Sequence, residues 1–360
     1  ASLEVLGVDE SGADLPGPSA EPALALAADG SLVLALRVEI GGEPSVLRLE
    51  RPAGAPFVRP SVPDDVVSFP PRAYQPALAT LGDGSVVLAF DQWTSTGFGV
   101  SVATRRPDGT WLGPAGAEDV VSPHAYHSNA PRLASGPFGT ALLTWYQSLG
   151  GPLLVHVRER DGATGAFVVP SDDGVVSLRD RAVDSHAVAN PRPAFGPRGE
   201  AAIVWSAEGR PGAVPIYAAG REPGGAWRGP LDVDDTVSLG AGRSTCAVPV
   251  YLSNGDLVVA WQSDVEGDWA VYASVRTVGG ARGSRSMLRL TPVGVRGLEP
   301  AIALDARGDL VIASTEVVAG RSRVVVHRGA TLDALGPPTV ASDEGEEASS
   351  PAHVAVPDEI

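Results

Sequence analysis

The sequence contains no lysine: all 27 of its basic residues are arginine. A P-loop nucleotide site, a Schiff-base enzyme and a pyridoxal-phosphate enzyme are thereby excluded, since each needs the lysine amine as a nucleophile or point charge. Cysteine is reduced to one residue, Cys246, which rules out an internal disulfide and any multi-cysteine zinc or iron–sulfur site. Net positive charge is missing too. Against the 27 arginines stand 43 carboxylates, a formal charge of −16. No basic cluster interrupts that pattern, so the surface repels phosphate backbones and nucleic acid is not an expected partner. No run of 18 apolar residues occurs, so no membrane-spanning helix is expected. The chain begins at Ala1 without an initiator methionine. With so little cysteine this suits a mature exported product, and a secreted or cell-surface location is expected.

What is present is a repeat. The 44% hydrophobic content of the 360 residues is enough for a substantial core, and the 43 glycines and 32 prolines fall at regular intervals, as turns between short strands would require. Residues 75–90, QPALATLGDGSVVLAF, and 130–145, APRLASGPFGTALLTW, are two versions of one phrase. Copies are anchored at Pro22, Pro76, Pro131, Pro191, Ala247 and Pro300, spaced by 54, 55, 60, 56 and 53 residues. Eight residues past each anchor stands a glycine: Gly30, Gly84, Gly139, Gly199, Gly255 and Gly308. Fourteen past come Leu36, Phe90, Trp145, Trp205, Trp261 and Ser314, and an arginine follows later in each copy: Arg51, Arg105, Arg158, Arg221, Arg276 and Arg328.

A period of this length marks solenoids and propellers. Each unit reads as a short apolar segment, a glycine turn, a continuous apolar run such as SVVLAF, a third Val/Tyr segment, and a turn such as RPDGTW or EPGGAW. A fourth element closes it: DDVVS (64–68), EDVVS (118–122), DGVVS (173–177) or DDTVS (234–238). Connections of a few residues favour antiparallel hairpins. Uninterrupted apolar runs imply strands covered on both faces, as in four-stranded sheets stacked around an axis. The expected fold is an all-β, single-domain β-propeller over residues 1–360, with six four-stranded blades. The aromatic residue ending each second strand would wedge between blades. Terminal segments 1–20 and 339–360 are expected to close the ring. The alternative is seven blades, one incomplete and drawn from both termini.

The run of P-x-x-A, D-G, apolar strand, W and R-x-D-G-x-W resembles bacterial secreted propellers with sialidase-type (Asp-box-like) repeats over most of residues 20–345. The resemblance implies fold more than activity. RRPDGTW (105–111) occupies the place of the Asp-box turn but lacks its serine and its D-x-G spacing, and REPGGAW and RDGATGAF are looser still. A sialidase would need an arginine triad gripping a carboxylate, a Tyr–Glu nucleophile pair and an aspartic acid. Arg132 and Arg192 lie one residue past Pro131 and Pro191, where first strands approach the axis, with Arg72 or Arg243 as a third. No Tyr–Glu pair stands in a matching context.

Alternating strand direction places the 2–3 loops and the long 4–1 connections on one face, where variable loops on a rigid scaffold carry binding. Candidate ligand residues there are Arg72, Tyr74, Trp93, His124, Tyr126, His127, Arg179, Arg181, Asp184, His186, Arg243, Asp264 and Trp269. Carboxylates 15 to 17 residues past the anchors, Glu39, Asp91, Glu208, Asp264 and Glu316, would gather at one mouth of a central channel lined also by Arg132 and Arg192, with Gln147 in the third copy. No cofactor is expected, and no metal site is assigned, though such a crowd of carboxylates would suit a cation such as calcium. With no catalytic set recognisable, the expectation is a non-catalytic, lectin-like propeller binding a glycan or protein partner. A sialidase-like glycoside hydrolase and a structural repeat domain are the alternatives.

Overall fold

The computed structural model describes residues 20–56, 65–123, 128–148, 153–168, 174–177, 189–207, 212–230, 235–238, 242–276 and 287–342. Six antiparallel sheets follow one another along the chain, one for each copy of the repeat. Sheet 1 is β1 (Ala20–Leu26), β2 (Leu32–Ile40) and β3 (Glu43–Arg51). Sheet 2 is β4 (Ala73–Thr80), β5 (Val86–Thr94), β6 (Gly97–Arg105) and β7 (Trp111–Leu112). Sheet 3 is β8 (Ser128–Ser135), β9 (Ala141–Ser148), β10 (Leu153–Arg160) and β11 (Phe167–Val168). Sheet 4 is β12 (Ala189–Phe195), β13 (Ala201–Ser206) and β14 (Ile216–Arg221). Sheet 5 is β15 (Ser244–Tyr251), β16 (Leu257–Ser263), β17 (Ala270–Arg276) and β18 (Met287–Arg289). Sheet 6 is β19 (Arg296–Leu304), β20 (Leu310–Val318), β21 (Arg321–Gly329) and β22 (Thr339–Val340). Strands run in sequence order across each sheet, and the fold is a six-bladed β-propeller. No helix among the described residues is long and apolar enough to cross a membrane. The chain divides into two compact units, the first holding sheets 1–3 and the second sheets 4–6 together with residues 152–156.

The repeat phrase can now be read physically. The glycine eight past each anchor closes the 1–2 turn in the left-handed region, with φ between 76° and 94° in all six copies, a conformation that costs other residues a Cβ clash. The apolar run after it is covered on both faces. In the first unit Phe90 packs against Ala35, Val46 and Ala73 of its neighbours, while Ala89 on the opposite face meets Leu143 and Trp145 of sheet 3. In the second unit Trp205 stacks on Tyr217 and Trp261 on Tyr272 at centroid distances of 6.1 and 6.2 Å. Those two stacks are cross-strand pairs within one sheet; it is Phe90, Trp145 and Trp261 that pack against residues of the preceding sheet.

The D-V-V-S element has a job that its composition does not announce. Fourth strands are only two or three residues long where they pair in a ladder; the V-V-S segment itself meets the third strand at single bridges in sheets 1 and 3, Leu47↔Val66 and His156↔Val175, and in sheet 4 the bridge Gly220↔Arg228 precedes it. The V-V-S segment crosses the third strand, and its hydroxyl accepts a third-strand N–H. The pairs are Ser68 with Val46 (3.0 Å), Ser122 with Val100 (3.0 Å), Ser177 with Val155 (3.0 Å) and Ser238 with Ile216 (2.9 Å). Thr291 does the same for Val271 (2.9 Å) and Ser342 for Val324 (3.2 Å), so LRLT (288–291) and TVAS (339–342) are the fifth and sixth copies. The hydroxyl stands in for the ladder carbonyl where the chain turns away. Ser122→Ala strips the acceptor from a buried N–H and is expected to cost about 1–2 kcal/mol, read as a lower urea midpoint at unchanged slope. Ser122→Thr, with the hydroxyl that Thr291 provides in sheet 5, should restore the wild-type midpoint. Thr339–Val340 pairs with β21 of its own sheet. Any closing role of 1–19 and 343–360 lies outside the described residues.

Candidate functional site

Every first strand carries a register shift at its anchor, for example between Tyr74 and Ala77, Asn129 and Arg132, and Thr245 and Val248. Such bulges re-aim side chains and occur beside active sites. The residue just before the anchor is left-handed without being glycine: Gln75 (φ 51°), Ala130 (57°), Cys246 (55°) and Glu299 (51°). That conformation is costly for a residue with a Cβ and persists only when its surroundings impose it. A side chain from the preceding sheet does so in two places. Asp91 Oδ2 accepts the Ala130 N–H at 3.3 Å, and Gln262 Oε1 accepts the Glu299 N–H at 2.7 Å.

Asp91 and Gln262 hold the same place in the repeat, fifteen residues past the anchor. The six residues there are Arg37, Asp91, Tyr146, Ser206, Gln262 and Thr315. Each lies opposite the residue two before its anchor: Ala20, Tyr74, Asn129, Ala189, Thr245 and Leu298. An apolar frame that barely varies thus presents, at one fixed position, six different polar side chains.

In the first unit three of these positions converge chemically. The Arg37 guanidinium sits 5.9 Å from the Tyr74 ring centroid, and Tyr74 is the cross-strand partner of Asp91. Asp91 is buried, 1% exposed, and its carboxylate reaches Ala130, the neighbour of Asn129, which pairs with Tyr146. Arg132 shares a face of sheet 3 with Tyr146, being paired with Thr144 two residues before it, and its Nη1 donates to the Pro131 carbonyl at 2.8 Å. Burial, and then the negative charge of Asp91, raise the Tyr146 hydroxyl above the ordinary phenol range, against a smaller pull from Arg132. Tyr146 therefore stays protonated at neutral pH and is a proton donor beside a buried carboxylate.

The rim over this cluster is aromatic and pinned. Trp93 lies two residues beyond Asp91 on the same strand and meets Phe98 edge-on at 4.9 Å; Phe98 meets Tyr74 at 5.5 Å. Gln92 is wholly buried. Its Oε1 accepts the Phe69 N–H at 2.8 Å and its Nε2 donates to the Phe69 carbonyl at 2.7 Å, which fixes the connection into sheet 2. Gln147 Nε2 donates to the Pro123 carbonyl at 3.1 Å and fixes the connection into sheet 3. Arg72 stands at the exposed edge in an ion pair with Glu43, 3.2 Å.

Of the residues singled out in the sequence, Arg72, Tyr74, Trp93, Asp91 and Arg132 are brought to one end of the first unit. Glu39, exposed, lies at the end of β2. In the second unit Glu316 is buried and paired with Arg323 at 2.8 Å, Asp264 Oδ1 accepts the Arg243 N–H at 2.6 Å, and the Trp269 carbonyl accepts from Gly297. Arg192 is half-buried next to Cys246. Asp91, Glu316 and the pair Glu39 and Asp264 thus occupy three different register positions, at 15, 16 and 17 past their anchors. His124, Tyr126, His127, Arg179, Arg181, Asp184, His186 and Glu208 lie outside the described residues. Among the described residues no three His, Cys, Asp or Glu side chains are grouped to hold a metal ion. Arg37 and Tyr146 are the members of the cluster that sequence reasoning passed over. The signal that could have found them is the polar variation fifteen past the anchor.

No protein-family model matches the chain, and no curated protein matches it by sequence. Solved structures do share its fold. A protein of unknown function from Dyadobacter fermentans is 13% identical, with 86% of this chain and 94% of that one covered and a TM-score of 0.53. The polysaccharide lyase Uly1 is 11% identical over 96% of this chain and 86% of its own, TM-score 0.57. An α-L-arabinanase of Penicillium chrysogenum, solved with arabinobiose, is 15% identical over 79% and 84%, TM-score 0.51. These likenesses are to propellers and do not single out the sialidase-type repeat. They also correct the expectation of a non-catalytic, lectin-like module: two of the three are enzymes of glycan cleavage. That expectation rested on finding no catalytic set within any one stretch of sequence, whereas the cluster described above joins Asp91 of sheet 2 to Tyr146 and Arg132 on two strands of sheet 3.

Proposed function

We propose that the protein is a glycan-cleaving enzyme, a glycoside hydrolase whose centre is Asp91, Tyr146 and Arg132, acting outside the cell or at its surface. The observation that carries this reading is the burial of a carboxylate beside a tyrosine whose proton is held tightly. In the proposed reaction Tyr146 passes its hydroxyl proton to the glycosidic oxygen as the bond to the anomeric carbon breaks. Asp91 takes a proton from the water that adds to that carbon, and the proton then returns from Asp91 to the tyrosinate. Arg132 steadies the tyrosinate while it exists. Trp93, Phe98 and Tyr74 offer flat apolar faces for the sugar rings on either side.

The test is a panel of fluorogenic glycosides and plant and bacterial polysaccharides, scored for new reducing ends and, separately, for the ultraviolet absorbance of unsaturated lyase products. New reducing ends without unsaturation are expected, and Tyr146→Phe should lower kcat by about 100-fold at unchanged thermal stability. An unsaturated product would replace hydrolysis by elimination. Turnover that Tyr146→Phe leaves intact would remove the proposed centre.

A further inference from the structure

One glycine turn departs from the other five. The residue before the turn glycine is polar at Asp29, Asp83, Arg198, Asn254 and Arg307, but in sheet 3 it is Phe138. Of these six only Phe138 has a positive φ, 55°, in the region that a β-carbon makes costly and that asparagine and aspartate tolerate best. Its side chain is 89% exposed, the highest of any large apolar residue among those described. The turn itself is tightly held. The Thr140 N–H and hydroxyl both donate to the Pro137 carbonyl, at 3.1 and 2.7 Å. Arg160, paired with Asp83 at 3.3 Å, donates to the Gly139 carbonyl. Glycines let two neighbouring turns close on its backbone: a Cβ on Gly82 would stand 3.4 Å from the Phe138 nitrogen, and one on Gly162 would overlap the Phe138 carbonyl oxygen. The surroundings thus impose the left-handed backbone and present the ring to solvent from a fixed base.

A single exposed apolar side chain needs no explanation by itself. One held in a costly conformation, where five copies carry polar residues, does. Beside it stands exposed Asp161, the residue before Gly162. Its Oδ1 accepts from the Ala163 N–H (2.9 Å), the Thr164 N–H (2.7 Å) and the Thr164 hydroxyl (3.1 Å), so the turn aims the carboxylate and leaves Oδ2 for a ligand. The Thr164 N–H, and then its hydroxyl, hold this carboxyl below the ordinary carboxylate range, so it is ionised at neutral pH. We propose that Phe138 and Asp161 form a second glycan-binding site, for a neutral polysaccharide chain, at the end of the first unit away from the hydrolytic centre. The ring offers a flat apolar surface to the C–H face of a sugar, and the carboxylate accepts its hydroxyls in charge-assisted bonds. Asp83 and Asp161 at this turn, in a chain of net charge −16, repel polyuronates and anionic lipid surfaces alike. Phe138 precedes β9 and Tyr146 lies eight residues further along, roughly 25 Å away, so a chain held at the turn is anchored without filling the centre. The site rests on the glycan-cleaving reading and deepens it, giving that enzyme a hold on a polymeric substrate.

Native gels cast with soluble neutral polysaccharides (arabinan, galactomannan and mixed-linkage β-glucan), with polygalacturonate as the anionic control, read the site directly. They are run cold so that the polymer is not consumed. At least one neutral polymer is expected to retard the wild-type protein relative to a gel without polymer, and polygalacturonate to have no effect. Phe138→Asn should weaken this retardation several-fold in apparent Kd. The same variant should melt no lower than wild type, because asparagine is at ease at φ 55° and the ring it replaces is almost wholly exposed. Retardation by no neutral polymer, equal retardation of Phe138→Asn, or a lower Tm for that variant would each overturn the assignment. So would sedimentation showing a dimeric wild type and a monomeric Phe138→Asn, which would give the ring to a second copy of the chain. Turnover that survives Tyr146→Phe fails the hydrolytic centre and leaves this site standing, whereas retardation that survives Phe138→Asn fails this site alone.

Discussion

Asp91→Gln is expected to abolish glycan cleavage, lowering kcat by about 1,000-fold or more, while leaving the thermal melt of the protein close to that of wild type. The separation of these two effects comes from the repeat itself. Asp91 has a structural duty, holding the left-handed Ala130 through its N–H at 3.3 Å. Gln262 performs the same duty for Glu299 in sheet 6, through a side-chain amide oxygen at 2.7 Å. Glutamine at position 91 is therefore a residue this scaffold already uses in that place, able to accept the hydrogen bond and unable to take a proton from water. Asp91→Ala is the complementary variant. It removes both functions and should lose about 1–2 kcal/mol as the bulge N–H goes unpaired. Reducing-end assays on whichever substrate the panel identifies, set beside melting curves, decide the matter. Full turnover in Asp91→Gln would show that Asp91 only pins the bulge.

The contrast between the two duties explains what could and could not be read from the chain. The blade count was legible because backbone geometry imposes the same demand six times: a glycine where φ is positive, at Gly30 and its five counterparts, and a continuous apolar run covered on both faces. The V-V-S hydroxyl was visible in four copies and hidden in two, where Thr291 and Ser342 do the same work in altered surroundings. The arginine of the third copy was read at Arg158, but it is Arg160 that repeats the Arg105 interaction, reaching Asp83 at 3.3 Å in the preceding 1–2 turn. The site was legible only in part. Asp91 and Arg132 stood out as charges near strand ends, yet the carboxylates were grouped by nearness to the strand end and not by register, so positions that differ by one residue, and hence face opposite sides of a sheet, were merged. Tyr146 is an ordinary aromatic in a strand until the bulge at Ala130 brings the Asp91 carboxylate to its blade. No local spacing encodes that approach, because it arises between sheets some 55 residues apart.

The same inter-blade logic carries the largest expected loss of stability. Arg105→Leu should cost about 3 kcal/mol, the lower end of what breaking a buried ion pair costs. Arg105 is 5% exposed and bridges to the preceding sheet twice, its Nη2 2.8 Å from Asp29 and its Nε 2.9 Å from Glu50. Glu50 in turn accepts from the Trp111 indole N–H, and Arg48 lies 4.6 Å over that ring. Removing the guanidinium takes the bridging cation from both carboxylates, Asp29 and Glu50. Both are partly open to water, which is why the lower end of the range applies. The loss should depend on pH in a definite sense. The hydrogen bond from Arg105, followed by the Ser31 N–H, draws the Asp29 carboxyl down to about 2. A folded-state value below that of the unfolded chain stabilises the fold above the ordinary carboxylate range. That stability drains away as pH falls from there through about 2. Urea titrations at about pH 7 and again at about pH 2.5 should therefore show the gap between wild type and Arg105→Leu narrowing in acid. A gap of equal size at both would mean that Arg105 acts through its packing alone, with the carboxylates of the neighbouring blade as bystanders.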